Sequence, residues 1–282
     1  MTTIIDTHPH VISPDTATYP LQPIGGTQSS WSQAHAVTHE ALITAMDEAG
    51  IAKAVVVQAS TAYGYDNSYL ADAVAAHPDR MTGVFAVDAL AADAIERIEY
   101  WKRRGLTGLR LFTAGSTMPG QAGWLDDERA RPMWAYAAET GLPVCVQMRP
   151  QGIGQLASVL ERFPETVVLI DHLARPVLED GPPYRQAAGL WELARFPGVH
   201  LKITLRNLEA AAKGASTLPA FLDKLLSTFG AGRVAWGSNY PAAERPLPEL
   251  VALALDAFAP LAAPDRELIM SGTALKLYPA LA

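Results

Sequence analysis

A single α/β domain folded as a (β/α)8 TIM barrel is the fold class this sequence predicts, on three observations. Eight short apolar runs rich in β-branched residues recur along the 282 residues, helical patterns alternate with them, and no linker or composition shift divides the chain. Strands alternating with helices pair in parallel through right-handed crossovers, and eight such units close most simply into a barrel. An open doubly wound sheet is the rival arrangement, but it calls for a phosphate-binding glycine fingerprint, and none follows the first strand. One domain spanning residues 1–282 is expected.

The strand runs are "TIIDTH" (3–8), "KAVVVQA" (53–59), "MTGVFAV" (81–87), "TGLRLF" (107–112), "LPVCVQM" (142–148), "TVVLIDH" (166–172), "VHLKITL" (199–205) and "RVAWGS" (233–238). Between them lie "EALITAMDEAG", "SYLADAVAAHP", "AADAIERIEYWKRRG", "RARPMWAYAAETG", "GQLASVLERFP", "QAAGLWELARFP" and "LPAFLDKLLSTFG", and many of these stop at Gly or Pro as helices do. "LPELVALALDAFAP" and "PDRELIMSGTALKLY" follow the last strand. The longest stretch without a regular pattern, residues 11 to 37, follows the first strand and on a barrel would sit over the mouth.

Composition narrows the function. With 22 Lys plus Arg against 29 Asp plus Glu, a net charge of -7 and no basic stripe, a nucleic-acid partner is not expected. No apolar run approaches the roughly 20 residues that span a bilayer, and "MTTIIDTHPHVI" lacks a positively charged leader, so a cytoplasmic protein without membrane contact is expected. The single cysteine, Cys145, lies in an apolar run, which excludes an intrachain disulfide and suits a buried thiol. Oligomeric state, including a homo-oligomer, is left open.

The densest chemistry is "DTHPH". Alternation along a strand puts His8 and His10 on one face with Asp6 one step deeper. Two imidazoles at the end of a barrel's first strand can bind a divalent metal or polarise a carbonyl; the plain alternative is incidental polar residues at a strand exit. "LIDHLARP" ends the sixth strand at His172, and alternation turns His172 inward and Asp171 outward. With His8 and His10 it could complete a three-imidazole site of the kind zinc uses.

These blocks, with "QASTAYGYDNSYL", "GLRLF", "LKIT" and "WGSNYP", resemble the amidohydrolase superfamily. The likeness is to its amidohydrolase-2 branch, which includes 2-pyrone-4,6-dicarboxylate lactonase, sulfomuconolactone hydrolase and sugar-acid lactonases. It runs from residue 5 to about 278 and implies a hydrolase that opens a lactone or amide with water. His8 and His10 match the branch's His-x-His, His172 its strand-six histidine, and Arg110 an arginine that binds substrate carboxylate.

Two departures stand out. Strand five offers Gln147 where a ligand histidine is usual and strand four offers no ligand, which leaves one divalent metal, zinc, or none. Asn239 stands where the branch carries the aspartate that serves as general base, and losing such a base costs typically about 10²- to 10⁴-fold in rate. Asn239 is retained as the residue that orients water.

Arginines 110, 149, 175 and 206 fall near strand C-termini and suggest a small anionic substrate, with Arg110 and Arg206 as its holders and Arg149 or Arg175 in surface ion pairs. Lys202 shares the inward parity of Thr204 and, buried, demands an acid or a substrate. Tyr65 and Asn67 are candidates for hydrogen-bonding the substrate ring, Asp66 or Asn67 also serving as a helix cap. His35 and His39 have metal-like spacing, but Thr38 as an N-cap separates them. The expected activity is opening of a carboxylated lactone or related cyclic ester or amide. A metal-dependent non-oxidative decarboxylase and a catalytically impaired ligand-binding protein are the alternatives.

Overall fold

The structure is a computed structural model and describes residues 3–282. Eight parallel strands lie in the order of the sequence: β1 Ile5–Asp6, β2 Lys53–Val57, β3 Met81–Ala86, β4 Gly108–Phe112, β5 Val144–Gln147, β6 Val168–Ile170, β7 Val199–Ile203 and β8 Val234–Trp236. Each pairs with the next, and β1 meets β8 through Thr7, whose N–H and Oγ1 both donate to the Trp236 carbonyl at 3.2 and 2.7 Å. The predicted barrel is therefore present, nearly closed, with every predicted strand core in place.

The helices are α1 Ser30–Ala34, α2 His39–Glu48, α3 Ser60–Tyr63, α4 Ser68–Ala76, α5 Ala94–Arg103, α6 Arg131–Thr140 and α7 Ile153–Arg162. Then come α8 Ala188–Glu192, α9 Leu205–Ala211, α10 Leu218–Phe229, α11 Leu247–Phe258, α12 Ala263–Glu267 and α13 Thr273–Leu277. Local chemistry sets their ends. Thr38 caps α2 by accepting from Ala41 N–H at 3.2 Å, Gly141 ends α6 in the left-handed region at φ 67°, and Pro lies in the first turn of α10 and α11. None of the helices among the described residues is long and apolar enough to cross a membrane.

Apolar side chains such as Val56, Phe85, Leu109, Val144, Ile170 and Leu201 are fully or almost fully buried in the main core. Inside the barrel the composition changes. Asp6, His8, Arg110, Asp171 and Lys202 are buried with 5% or less exposure, directly below the mouth. Burying ionised groups is costly unless they pair, so their arrangement decides what the site can do.

Residues 11–37 are not wholly irregular. They carry a short 3-10 turn at Ile24–Gly26 and helix α1, whose Trp31 stacks on His10 with ring centroids 5.0 Å apart.

Candidate active site

A cavity of about 230 Å³ opens at the C-terminal end of the strands, lined by His10, Trp31, Arg110, Gln147, His172, Arg175, Arg206 and Asn239 among others. No Asp or Glu is among the described residues lining it.

Beneath it lies an ion network. Asp171 holds Lys202 Nζ at 2.8 Å and Arg110 Nε at 3.3 Å, and His8 Nδ1 lies 3.6 Å from its carboxylate. Burial alone would raise the Asp171 pKa, but Lys202, His8 and Arg110 hold its carboxyl well below the usual carboxylate range. The outward orientation expected for Asp171 is thus corrected. Leu169 packs inside the barrel, so alternation carries Asp171 inward as well; His172, the first of four residues (172–175) with φ between 53° and 57°, is the one that leaves the alternation, and it was the wrong anchor for placing Asp171. Four successive non-glycine residues in this region are strained, as is common beside functional groups.

The imidazoles come together. The His8 ring centroid is 5.0 Å from that of His10 and 4.8 Å from that of His172. Their nitrogens are committed differently. His10 Nδ1 faces the Val57 carbonyl at 2.7 Å; a carbonyl only accepts, so Nδ1 carries the proton and Nε2 keeps its lone pair. His172 Nδ1 bonds Thr204 Oγ1 at 3.0 Å, which also leaves Nε2 to the cavity. His8 is fully buried below the cavity, with Nε2 3.5 Å from Arg110 Nη2. Burial, together with Arg110 for His10 and Arg175 for His172, pushes both cavity imidazoles down to about 3.

This donor set does not fit a metal. Asp171 already holds two cations, His8 is set between Asp171 and the Arg110 guanidinium, and among the described residues no three His, Cys, Asp or Glu side chains are spaced to hold an ion. The three imidazoles expected to hold zinc, His8, His10 and His172, are brought together, but among the described residues they are not spaced to hold an ion.

The arginines also sort differently from expectation. Arg110 is held by Asp171, by the Gln58 carbonyl at 2.8 Å and by Gln147 Oε1 at 2.5 Å. Arg175 and Arg206 line the cavity and form no ion pair or side-chain hydrogen bond among the described residues, and Arg175 Nε is buried without a partner. Burial and the neighbouring Arg206 and Arg149 bring Arg175 down to about 10. Among the described residues neither Arg149 nor Arg175 forms the surface ion pair expected of one of them; Arg149 instead donates to the Gly115 carbonyl at 3.2 Å.

Asn239 sits at the wall with φ 59°, a conformation that Asn tolerates. The turn before it is locked by Asp6, which accepts from Ser238 N–H at 2.8 Å, Ser238 Oγ at 2.5 Å and His8 N–H at 2.9 Å. Burial raises the Asp6 pKa, opposed by the Ser238 bonds. Gly237 has to be glycine: a Cβ there would lie 2.7 Å from the Cβ of His8.

A model of the amidohydrolase family matches residues 5–280. The chain belongs to the amidohydrolase family. It is 27% identical over 198 residues to the L-fucono-1,5-lactonase of Burkholderia ambifaria, a match covering 68% of this chain and 66% of that relative, just under two thirds of its length. An amidohydrolase of Burkholderia multivorans solved with bound zinc superposes with a TM-score of 0.77 at 21% identity, over 98% of this chain and 99% of that one. The probable 2-pyrone-4,6-dicarboxylic acid hydrolase of Acinetobacter baumannii, solved with citric acid bound, gives 0.76 at 19% identity, over 99% and 100%. At these identities the two solved structures show a shared barrel.

Three of the predicted substrate groups of this amidohydrolase fall outside the cavity: Lys202, closed onto Asp171 beneath it, Asn67 and Tyr65. Asn67 is buried and spends its amide on Ala86 N–H, the Ala86 carbonyl and the Tyr65 carbonyl, tying the β2 loop to β3. Tyr65 is 40% exposed and does not line the cavity. Asp66 accepts from Ser68 N–H at 2.9 Å in a local turn, and Asn67, which occupies the N-cap position of α4, makes no capping bond with its side chain. His39 lies away from the site and meets His77 at 3.1 Å. Sequence reasoning missed Trp31 and undervalued Arg175; an aromatic in the long loop after β1 was the available signal for the first.

Proposed function

We propose that this amidohydrolase opens, with water, a lactone or related cyclic ester that carries at least two negative charges. The observation that carries the reading is the charge balance. Arg110, Lys202, Arg175 and Arg206 stand against Asp171 and Asp6, so at least two positive charges are uncompensated around a cavity with no lining carboxylate.

Arg175 and Arg206 are free to bind substrate carboxylates, each able to present a bidentate fork. The Nε2 atoms of His10 and His172 hold lone pairs, so they accept protons and do not donate to a carbonyl; the fixed cation Arg110 is left to stabilise the developing oxyanion. Asn239 orients the attacking water, and one imidazole takes its proton. The ring C–O bond then breaks, and the same imidazolium returns the proton to the leaving alkoxide. A dianion entering the cavity offsets the arginine field, which raises imidazole basicity above that of the empty site.

The test is ring opening followed by pH-stat on a panel of dicarboxylated and neutral lactones, before and after exhaustive chelation. Dicarboxylated lactones should be turned over at least tenfold better, with activity retained after chelation. Preference for a neutral sugar lactone overturns the charge argument, and carbon dioxide release in place of ring opening indicates the decarboxylase. Asn239→Asp should change kcat less than tenfold. A rise of two or more decades would mean that Asn239 is a disabled base and that the imidazole assignment is wrong.

A further inference from the structure

The segment Thr204-Leu205-Arg206-Asn207 opens α9 and places Asn207 at the third helical position, where a capping box carries Glu or Gln. Asn207 is 1% exposed. Its Oδ1 accepts from Thr204 N–H at 3.0 Å and from Thr204 Oγ1 at 3.2 Å, while its Nδ2 donates to the His172 carbonyl at 2.8 Å. Two of these partners are backbone groups of fixed polarity, so the amide can face only one way.

That orientation fixes a chain of protons. The single Thr204 hydroxyl hydrogen goes to Asn207 Oδ1, so Thr204 Oγ1 accepts from His172 Nδ1 at 3.0 Å. Nδ1 then carries the imidazole proton, and Nε2 faces the cavity as an acceptor. The same asparagine grips the carbonyl of His172, the residue at φ 53° and ψ 30° that begins the left-handed run to Arg175. Capping α9 requires only the bonds to Thr204. The third bond, to a residue 35 positions earlier, is unnecessary for the helix.

We propose that Thr204 and Asn207 are positioning residues that set the tautomer and orientation of His172 and tie it to the helix carrying Arg206. This rests on the reading of His172 as a proton acceptor, but its first test does not need turnover. Ring ¹⁵N shifts of His172 in the free protein at pH 7 should show a protonated Nδ1 and an unprotonated Nε2. Thr204→Val should shift the ring toward the Nε2-protonated form, and Thr204→Ser should restore the original pattern. With a substrate in hand, Thr204→Val and Asn207→Asp should lower kcat about 10- to 100-fold with KM within twofold, and Thr204→Ser should recover most of it.

An Nε2-protonated ring in the unaltered protein, or an unchanged pattern in Thr204→Val, overturns the proposal. If Asn207→Asp does not fold, the Val and Ser pair at 204 decides. If no lactone is opened but the ¹⁵N pattern follows the substitutions, the assigned function fails while the positioning stands.

Discussion

The floor of the barrel and its rim both carry cations, and they treat them oppositely. At the floor, Lys202 and Arg110 are closed onto Asp171 and have almost no exposure. At the rim, Arg175 and Arg206 face the cavity and form no ion pair among the described residues. A paired buried cation mainly satisfies a charge the fold has already committed, whereas an unpaired one at a cavity awaits an anion that is not part of the chain. Lys202 thus serves the structure and Arg175 and Arg206 are left for binding, while Arg110, paired below yet lining the cavity, belongs to both layers.

The largest effect that can break this contrast is acid. His10 and His172 stand at about 3 in the folded chain against a usual value of 6.5. Between those values the unfolded chain binds more protons, so stability is full above about pH 6.5 and falls with decreasing pH, by about 1.4 kcal/mol per unit for each ring. Urea unfolding at successive pH values should show this slope; flat stability from pH 6.5 to 4 would mean the rings are not held neutral. Next comes the floor. Lys202→Met leaves Asp171 short of a partner and should cost about 3–5 kcal/mol of unfolding free energy, read from the denaturation midpoint.

At the rim the outcome reverses. Arg175→Gln or Arg206→Gln should each remove a charge-assisted contact of about 1.5–3 kcal/mol, raising KM roughly 10- to 100-fold, while stability holds or improves. A stability loss like that of Lys202→Met would erase the distinction between the layers. The smallest effect belongs outside the cavity: Tyr65→Phe should leave KM and kcat within twofold.

The barrel was legible because periodicity and alternation extend over whole elements, and the ends of strands bear only on the details. The site was legible where strand geometry persists, as at Arg110 in β4 and the inward Lys202 in β7, and at His8 and His10, which lie just past the end of β1 at Asp6. It failed where the chain leaves the strand. Asp171 was assigned outward by treating His172 as part of the strand, whereas Asp171 shares the inward parity of Leu169 and His172 has already left the strand; Arg175 reaches the cavity through the same left-handed turn, which no periodicity announces. Tyr65 and Asn67 share a polar loop, and nothing in that string separates a residue facing substrate from one bonded to its own backbone. The resemblance to amidohydrolases pointed to three imidazoles that the fold does bring together, but the cations Arg110 and Lys202 lying beside Asp171 are a matter of three-dimensional placement.

The bonds from Ser238 to Asp6 span 232 positions of the chain. On the ribosome, Asp6 emerges 232 residues ahead of Ser238 and waits that long before its partner exists. Any product truncated before position 238 lacks both the latch and Asn239, so it cannot assemble the mouth however well its earlier strands pair. A split-protein reporter cut between α10 and β8 would regain its site only when the two pieces rejoin at this acid.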